Sequence, residues 1–358
     1  MILKLPFNLN AEIQTECWTF YKVAIISAYP QLKPWLLQHC NNLFLTGNFQ
    51  LTYGENCRIY DQYRYFEQVL TVKEADYTLL DTKERAICYI SDMLNRQDYI
   101  LLECDFTGID IEGNWDSVRE CLIYGIDTQK QTVYVPHLEK GKWVSVEVKI
   151  SLILRAFQQS QSNINCLYDT LRLLQYRATL FHPIFTGQFC PSLQVFWKDI
   201  RYIYKSNTKE MHLLIKKKNS RNDLDQIDVQ TYWDGYNACL AGLMIMIQKL
   251  LYHKWEEQSI DQNFALTFKR LWEYRVYFGI RNRNLEEYFV PEYVSKHLLD
   301  EQYEILLLRN ASLFALKYIY YHNEKSLKVI LKILQEVKEI DDHLLEDLYV
   351  CLSEKINY

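Results

Sequence analysis

The chain has 358 residues, 49% hydrophobic and 24% charged, enough apolar material for a sizeable core and for about two domains. Forty Lys+Arg against 45 Asp+Glu give a formal net charge of −5, which argues against a general nucleic-acid binder. Ten glycines and seven prolines are few, and 28 tyrosines help raise the aromatics to 15%, so disorder, collagen-like sequence and Gly-rich linkers are excluded.

The opening stretch, Met-Ile-Leu-Lys-Leu-Pro-Phe, places Lys4 and Pro6 inside what would be the apolar core of a signal peptide, so a cytoplasmic protein is expected. Trp18 to Ser27 reads as a mostly apolar helix that starts right after Cys17. Pro34 opens a second helix, running to about Leu43, with proline at its tolerated first turn. Asp81, with Glu84 three residues on, predicts an N-cap and its capping partner for a helix to about Asn95.

Four strand-like runs follow, Tyr99–Cys104, Val118–Ile126, Thr132–Val135 and Trp143–Val148. Short polar turns, Asp127-Thr128-Gln129-Lys130 and Glu139-Lys140-Gly141-Lys142, imply antiparallel neighbours, because a parallel crossover needs about a dozen residues. Only the 104–118 link is long enough to cross or to form a lid. From Ser151 onward helical spacing dominates, over roughly 151–158, 164–178, 193–205, 229–252, 261–281, 300–321, 323–337 and 341–355. The expected fold is therefore α+β, helices and an antiparallel sheet over 1–158, followed by an all-helical domain over 159–358.

Most chemical motifs are missing. No two glycines form G-x-G, and after Gly108 and Gly113 the chain has Asn114-Trp115 where a phosphate loop needs Lys-Ser/Thr. The ten cysteines form no C-x-x-C and no His pair has a zinc spacing, so neither a metal site nor a cofactor is expected. His137-Leu138-Glu139 and His322-Asn323-Glu324 match the deaminase H-x-E, but no P-C-x-x-C follows either one. Glu103 with Asp105, and Glu286 with Glu287, read as solvated pairs. Lys216-Lys217-Lys218 and Arg221 are followed at once by Asp223, Asp225 and Asp228, which fits a solvated loop. Arg270, Arg275, Arg281 and Arg283, interleaved with Trp272, Tyr274, Tyr277 and Phe278, fit an amphipathic structural helix with ion pairs better than a nucleic-acid surface. The longest apolar run, Ala238 to Ile247, is too short to span a bilayer.

Cys17 carries the clearest chemical promise. At a helix start, unpaired backbone N–H groups and the positive dipole end favour a thiolate. A cysteine nucleophile also needs a base and a group to orient that base.

An N-terminal Cys opening a helix, then a strand ending Leu122-Ile123-Tyr124-Gly125-Ile126-Asp127, a turn and two more strands, resembles the papain-like domain of bacteriocin-processing peptidases. It is more closely similar to the butirosin-biosynthesis protein H N-terminal domain. Val195-Phe196-Trp197-Lys198-Asp199-Ile200 and Leu271-Trp272-Glu273-Tyr274-Arg275 resemble segments of the helical regions that follow this domain in accessory proteins of peptide-antibiotic gene clusters. The resemblance implies a papain-like fold and acyl transfer through a cysteine thioester, or peptide cleavage, with a carrier protein or peptide as partner.

In those families a general-base His lies eight residues before the Asp of the final G-x-D, and here Arg119 occupies that slot. The orienting acid normally ends the next strand, where this chain has Val135-Pro136-His137. The oxyanion-hole glutamine usual about six residues before the nucleophile is Ala11, and Gln14 is too close to match. A guanidinium cannot exchange protons near pH 7. The site to test is thus Cys17, Arg119 and His137. A degenerate acyl- or peptidyl-transfer site is one reading, an active Cys17 enzyme a second, and an unrelated helical interaction protein a third.

Overall fold

The turns of the strand-rich stretch direct its folding. The computed structural model describes residues 1–356 except 12, 14–16, 39–42, 47–50, 54–65, 67, 112–117, 163–177, 186–191, 206–209, 218–225, 235 and 253–261. The expected helix over 164–178 (except Ala178, at the start of a strand), Gln14, Gly113-Asn114-Trp115 and the run from Lys218 to Asp225 lie outside the described residues.

Strands β1 (Ile2–Lys4), β2 (Leu43–Thr46), β3 (Leu51–Tyr53), β4 (Leu70–Glu74), β5 (Tyr99–Asp105), β6 (Val118–Ile123), β7 (Gly125–Asp127), β8 (Thr132–Glu139) and β9 (Lys142–Lys149) precede β10 (Ala178–Pro183), β11 (Glu210–Lys217) and β12 (Gln226–Asp234). They form three four-stranded sheets, β1-β7-β8-β9, β4-β10-β5-β6 and β11-β12-β2-β3, with antiparallel pairing throughout. Lys140 and Gly141 join β8 to β9 with φ of 49° and 80°, the positive values that a two-residue hairpin turn requires. Between β7 and β8, Asp127 Oδ1 accepts from the backbone N–H groups of Gln129 and Lys130. The 104–118 link joins two antiparallel neighbours.

Between β6 and β7 only Tyr124 intervenes, and there the chain passes from one sheet to another. Gly125 makes that step possible. A Cβ at this position would lie 2.8 Å from Lys4 Cγ, 3.0 Å from the Leu3 carbonyl oxygen and 3.1 Å from Tyr134 Cδ2. Here glycine answers a close approach of three strands rather than a positive φ.

Helices α1 (Cys17–Ser27), α2 (Lys33–Gln38), α3 (Lys83–Asn95) and α4 (Ile150–Ser162) belong with the first two sheets. An aromatic cluster fastens α1. Phe20 stacks on Trp143 of β9 at 4.1 Å, Phe7 packs edge-on against Phe20, and Phe7 stacks on Tyr124. α4 is tied to β5 by Ser160, whose hydroxyl donates to the Glu103 carbonyl at 2.7 Å. Two helix expectations are corrected. Thr82, not Asp81, caps α3, accepting from the Arg85 N–H, while Asp81 pairs with the Arg85 side chain. The expected helix from Pro34 to Leu43 is shorter, since Leu43 begins β2.

The chain divides into two compact units, 1–36 with 58–189, and 37–57 with 190–358. The expected ranges 1–158 and 159–358 differ from this division because pairing crosses them. β10 lies between β4 and β5 in the first unit, and β12 pairs with β2 in the second.

The second unit is also not all-helical, since β11 and β12 form an antiparallel hairpin where the helical reading had begun an element at 229. Its helices are α5 (Leu193–Lys205), α6 (Tyr236–Leu251), α7 (Gln262–Phe289), α8 (Pro291–Tyr321) and α9 (Glu324–Ile356). Pro291 opens α8 at the position where its missing N–H costs nothing. α9 is one helix where two were expected. Asp341 of the Asp341-Asp342 pair is buried in mid-helix and faces the Arg275 guanidinium at 3.9 Å. No described helix is long and apolar enough to cross a membrane.

Candidate functional site

The three residues singled out by the sequence fall on three elements of the first unit. Cys17 is the first residue of α1, one position before the helix start expected at Trp18, and its side chain lies outside the described part of the structure. Arg119 lies on β6, half-buried, directly opposite Cys104 of β5. His137 lies on β8 and is only 5% exposed, so it is not the surface turn residue that the strand limit at Val135 suggests.

β8 runs on past Pro136. The carbonyl of Tyr134 faces the β6–β7 edge, where it accepts from the Tyr124 N–H. Pro136, two residues on, faces the same edge, beyond the 132–134 stretch that pairs with β7, and its missing N–H leaves the β9 ladder intact.

Across these strands Arg119 Nη1 lies 3.3 Å from His137 Nδ1. A guanidinium can only donate, so Nδ1 is the acceptor and the neutral ring carries its proton on Nε2. Burial pushes the His137 pKa below its usual value, and the Arg119 charge pushes it further the same way. The pair is therefore a neutral imidazole beside a fixed cation, and both groups present N–H donors. Such a pair suits a carbonyl oxygen or carboxylate better than it suits proton abstraction.

α1 meets this region through Tyr21, one turn after Cys17, whose hydroxyl donates to the Glu120 carbonyl at 3.2 Å, next to Arg119. Buried Cys104 and Cys121 share the Arg119 face of the β5–β6 ladder. Burial raises the Cys104 thiol well above its ordinary value, and the neighbouring Cys121 adds to this, so Cys104 is an inert apolar residue rather than a nucleophile. On the opposite face Glu103 and Glu120 stand directly across from each other. Desolvation raises the Glu120 carboxyl, and Glu103 raises it further. Glu103 and Asp105 are buried, 8% and 3% exposed, which corrects their reading as a solvated pair.

A second concentration of charge lies in the helical unit, where sequence reasoning saw ion pairs on an amphipathic helix but not their depth. Arg275 of α7, 2% exposed, forms an ion pair with Glu304 Oε2 of α8 at 2.7 Å, and Tyr236 of α6 donates to Glu304 Oε1 at 2.7 Å. Burial raises the Asp341 carboxyl well above the carboxylate range, and Glu304 adds to the shift against the lowering effect of Arg275. Glu286 is buried while Glu287 is exposed, so that pair too is divided between core and solvent. Of the other arginines, Arg270 donates to the Leu51 carbonyl at 2.6 Å and Arg283 lies 3.7 Å from Glu301.

No family model matches the chain, and no curated protein matches it.

Proposed function

We propose that the first unit is a papain-like domain whose transfer site is degenerate, and that the protein is an accessory factor in making a peptide or secondary metabolite. It binds a carrier-protein-borne acyl group or a peptide rather than turning it over. The observation that carries this reading is the 3.3 Å contact between Arg119 and His137, the residues in the slots of the family's general base and orienting acid. In an active site of that kind the base and its orienting acid touch, and here the two replacements touch. The contact of α1 with β6 through Tyr21 supports the same layout, because Cys17 starts that helix. Arg119 cannot take a proton from a thiol, and the Nδ1 that could do so is committed to Arg119. Arg119 and His137 serve as donors to a substrate carbonyl or carboxylate.

The test is alkylation by iodoacetamide at neutral pH followed by peptide mapping. Cys17 is expected to react no faster than the exposed Cys88, and Cys17→Ala is expected to leave partner binding and biological activity intact. Preferential alkylation of Cys17, with loss of activity in a stably folded Cys17→Ala chain, would establish the active enzyme instead.

A further inference from the structure

The helical unit brings together three side chains of a kind that ligate metals. His343 and Asp347 are one turn apart on α9 and share a face, and His297 projects from α8. One ligand atom from each lies within 4.8 Å of the other two. His297 Nε2 is already 3.1 Å from Asp347 Oδ2, and the His297 and His343 rings meet edge to face at 5.7 Å. Around a tetrahedral ion with bonds of about 2.0–2.1 Å, ligand atoms stand roughly 3.4 Å apart. The gap to be closed is thus at most about 1.4 Å, and rotation of the exposed His343 and half-buried Asp347 can supply it.

The second observation is the state of His297. It is 2% exposed, and among the described residues neither ring nitrogen makes a hydrogen bond of acceptable angle. Burying an imidazole without a well-formed hydrogen bond costs free energy that a bound cation would offset. Asp300 Oδ2 lies 3.7 Å from Nδ1, just beyond hydrogen-bond distance. A small approach would let this carboxylate orient the ring, as outer carboxylates do for histidines whose other nitrogen holds a metal.

We infer that His297, His343 and Asp347 form a binding site for one divalent transition-metal ion of the zinc class, with a fourth position open to water. Two imidazoles and one carboxylate suit zinc, cobalt or copper, whereas magnesium and calcium prefer an all-oxygen shell. Lys296 competes for the carboxylate, with its ammonium 2.7 Å from Asp347 Oδ2. It is 66% exposed and can swing away or keep one carboxylate oxygen while the metal takes the other. The i,i+4 spacing of His343 and Asp347 was visible in the sequence, but His297 comes from a different helix, so no linear motif announces the set.

The test uses the full-length, tag-free chain, titrated with Zn²⁺ and Co²⁺ by calorimetry, with Mg²⁺ for comparison. Saturable uptake of one Zn²⁺ per chain is expected, with no comparable uptake of Mg²⁺. His343→Ala, which alters an exposed ring, and Asp347→Asn should each weaken binding by on the order of tenfold or more. His182→Ala, in the first unit beside Asp98, should leave it unchanged. Circular dichroism establishes that each variant is folded. Absence of stoichiometric uptake, or uptake that survives both His343→Ala and Asp347→Asn undiminished, overturns the assignment.

Discussion

Arg119 and Arg275 are both guanidiniums set beside titratable partners, in opposite settings. Arg275 is withdrawn from water and faces Glu304 and Asp341, with Tyr236 completing the Glu304 carboxylate. Arg119 is half-buried at a strand and meets an imidazole whose protonation it opposes. A guanidinium enclosed with acids is bound to its partners by the cost of leaving any one of them alone. A guanidinium beside a neutral imidazole gains no such hold from that contact and instead lowers the ring's affinity for a proton. The difference separates a group that ties helices together through acids from one that tunes the protonation of a histidine.

The largest expected effect comes from the enclosed cluster. Arg275→Met leaves Glu304 and Asp341 buried without their cation, and urea unfolding should show a loss of about 3–5 kcal/mol. Arg119→Gln should cost no more than about 1 kcal/mol. Equal losses for the two variants would erase the contrast. Next comes the strand crossing that presents Arg119. Gly125→Ala forces Lys4 and the Leu3 carbonyl aside, so thermal or urea unfolding should register about 1–3 kcal/mol. An unchanged midpoint would mean that β1 yields without cost.

The smallest effect is titration. His137 has a folded-state pKa below its ordinary 6.5. Above pH 6.5 the ring is neutral in both states and costs nothing. As the pH falls below 6.5, the unfolded chain takes the proton first, and stability declines until the folded ring also protonates. Arg119→Gln removes the repulsion, so the His137 resonance followed by NMR should titrate at higher pH and the decline should shrink. A His137 pKa unmoved by this substitution would show that burial alone sets it.

Most of the stretch from Tyr99 to Lys149 was legible because period-two runs and turn residues lie side by side. The single strand expected over Val118–Ile126, however, breaks at Tyr124 into β6 and β7 of different sheets. β10 was not legible, because its partners β4 and β5 lie far upstream and its own run offers no hairpin turn to either. The same holds for β12 and β2, which join residues 226–234 to residues 43–46. The break expected between 337 and 341 does not exist, and the buried Arg275 on another helix explains an acid in mid-helix there. At the candidate site, Arg119 and Cys17 were found from their place in a pattern. The burial of His137 depends on β8 continuing beyond a proline, which local propensity discourages.

The order of the chain also shapes how it is made. β2 and β3 leave the ribosome early, yet their sheet is closed by β12, which begins only at Gln226. At synthesis rates of about 5–20 residues per second, that edge waits on the order of ten to forty seconds for its partner. β5 waits in the same way for β10. Between the emergence of β5 and that of β10 the nascent protein carries two open strand edges, each a template for mispairing with another chain. A fragment cut at residue 158 would keep the β4 and β5 edges open permanently.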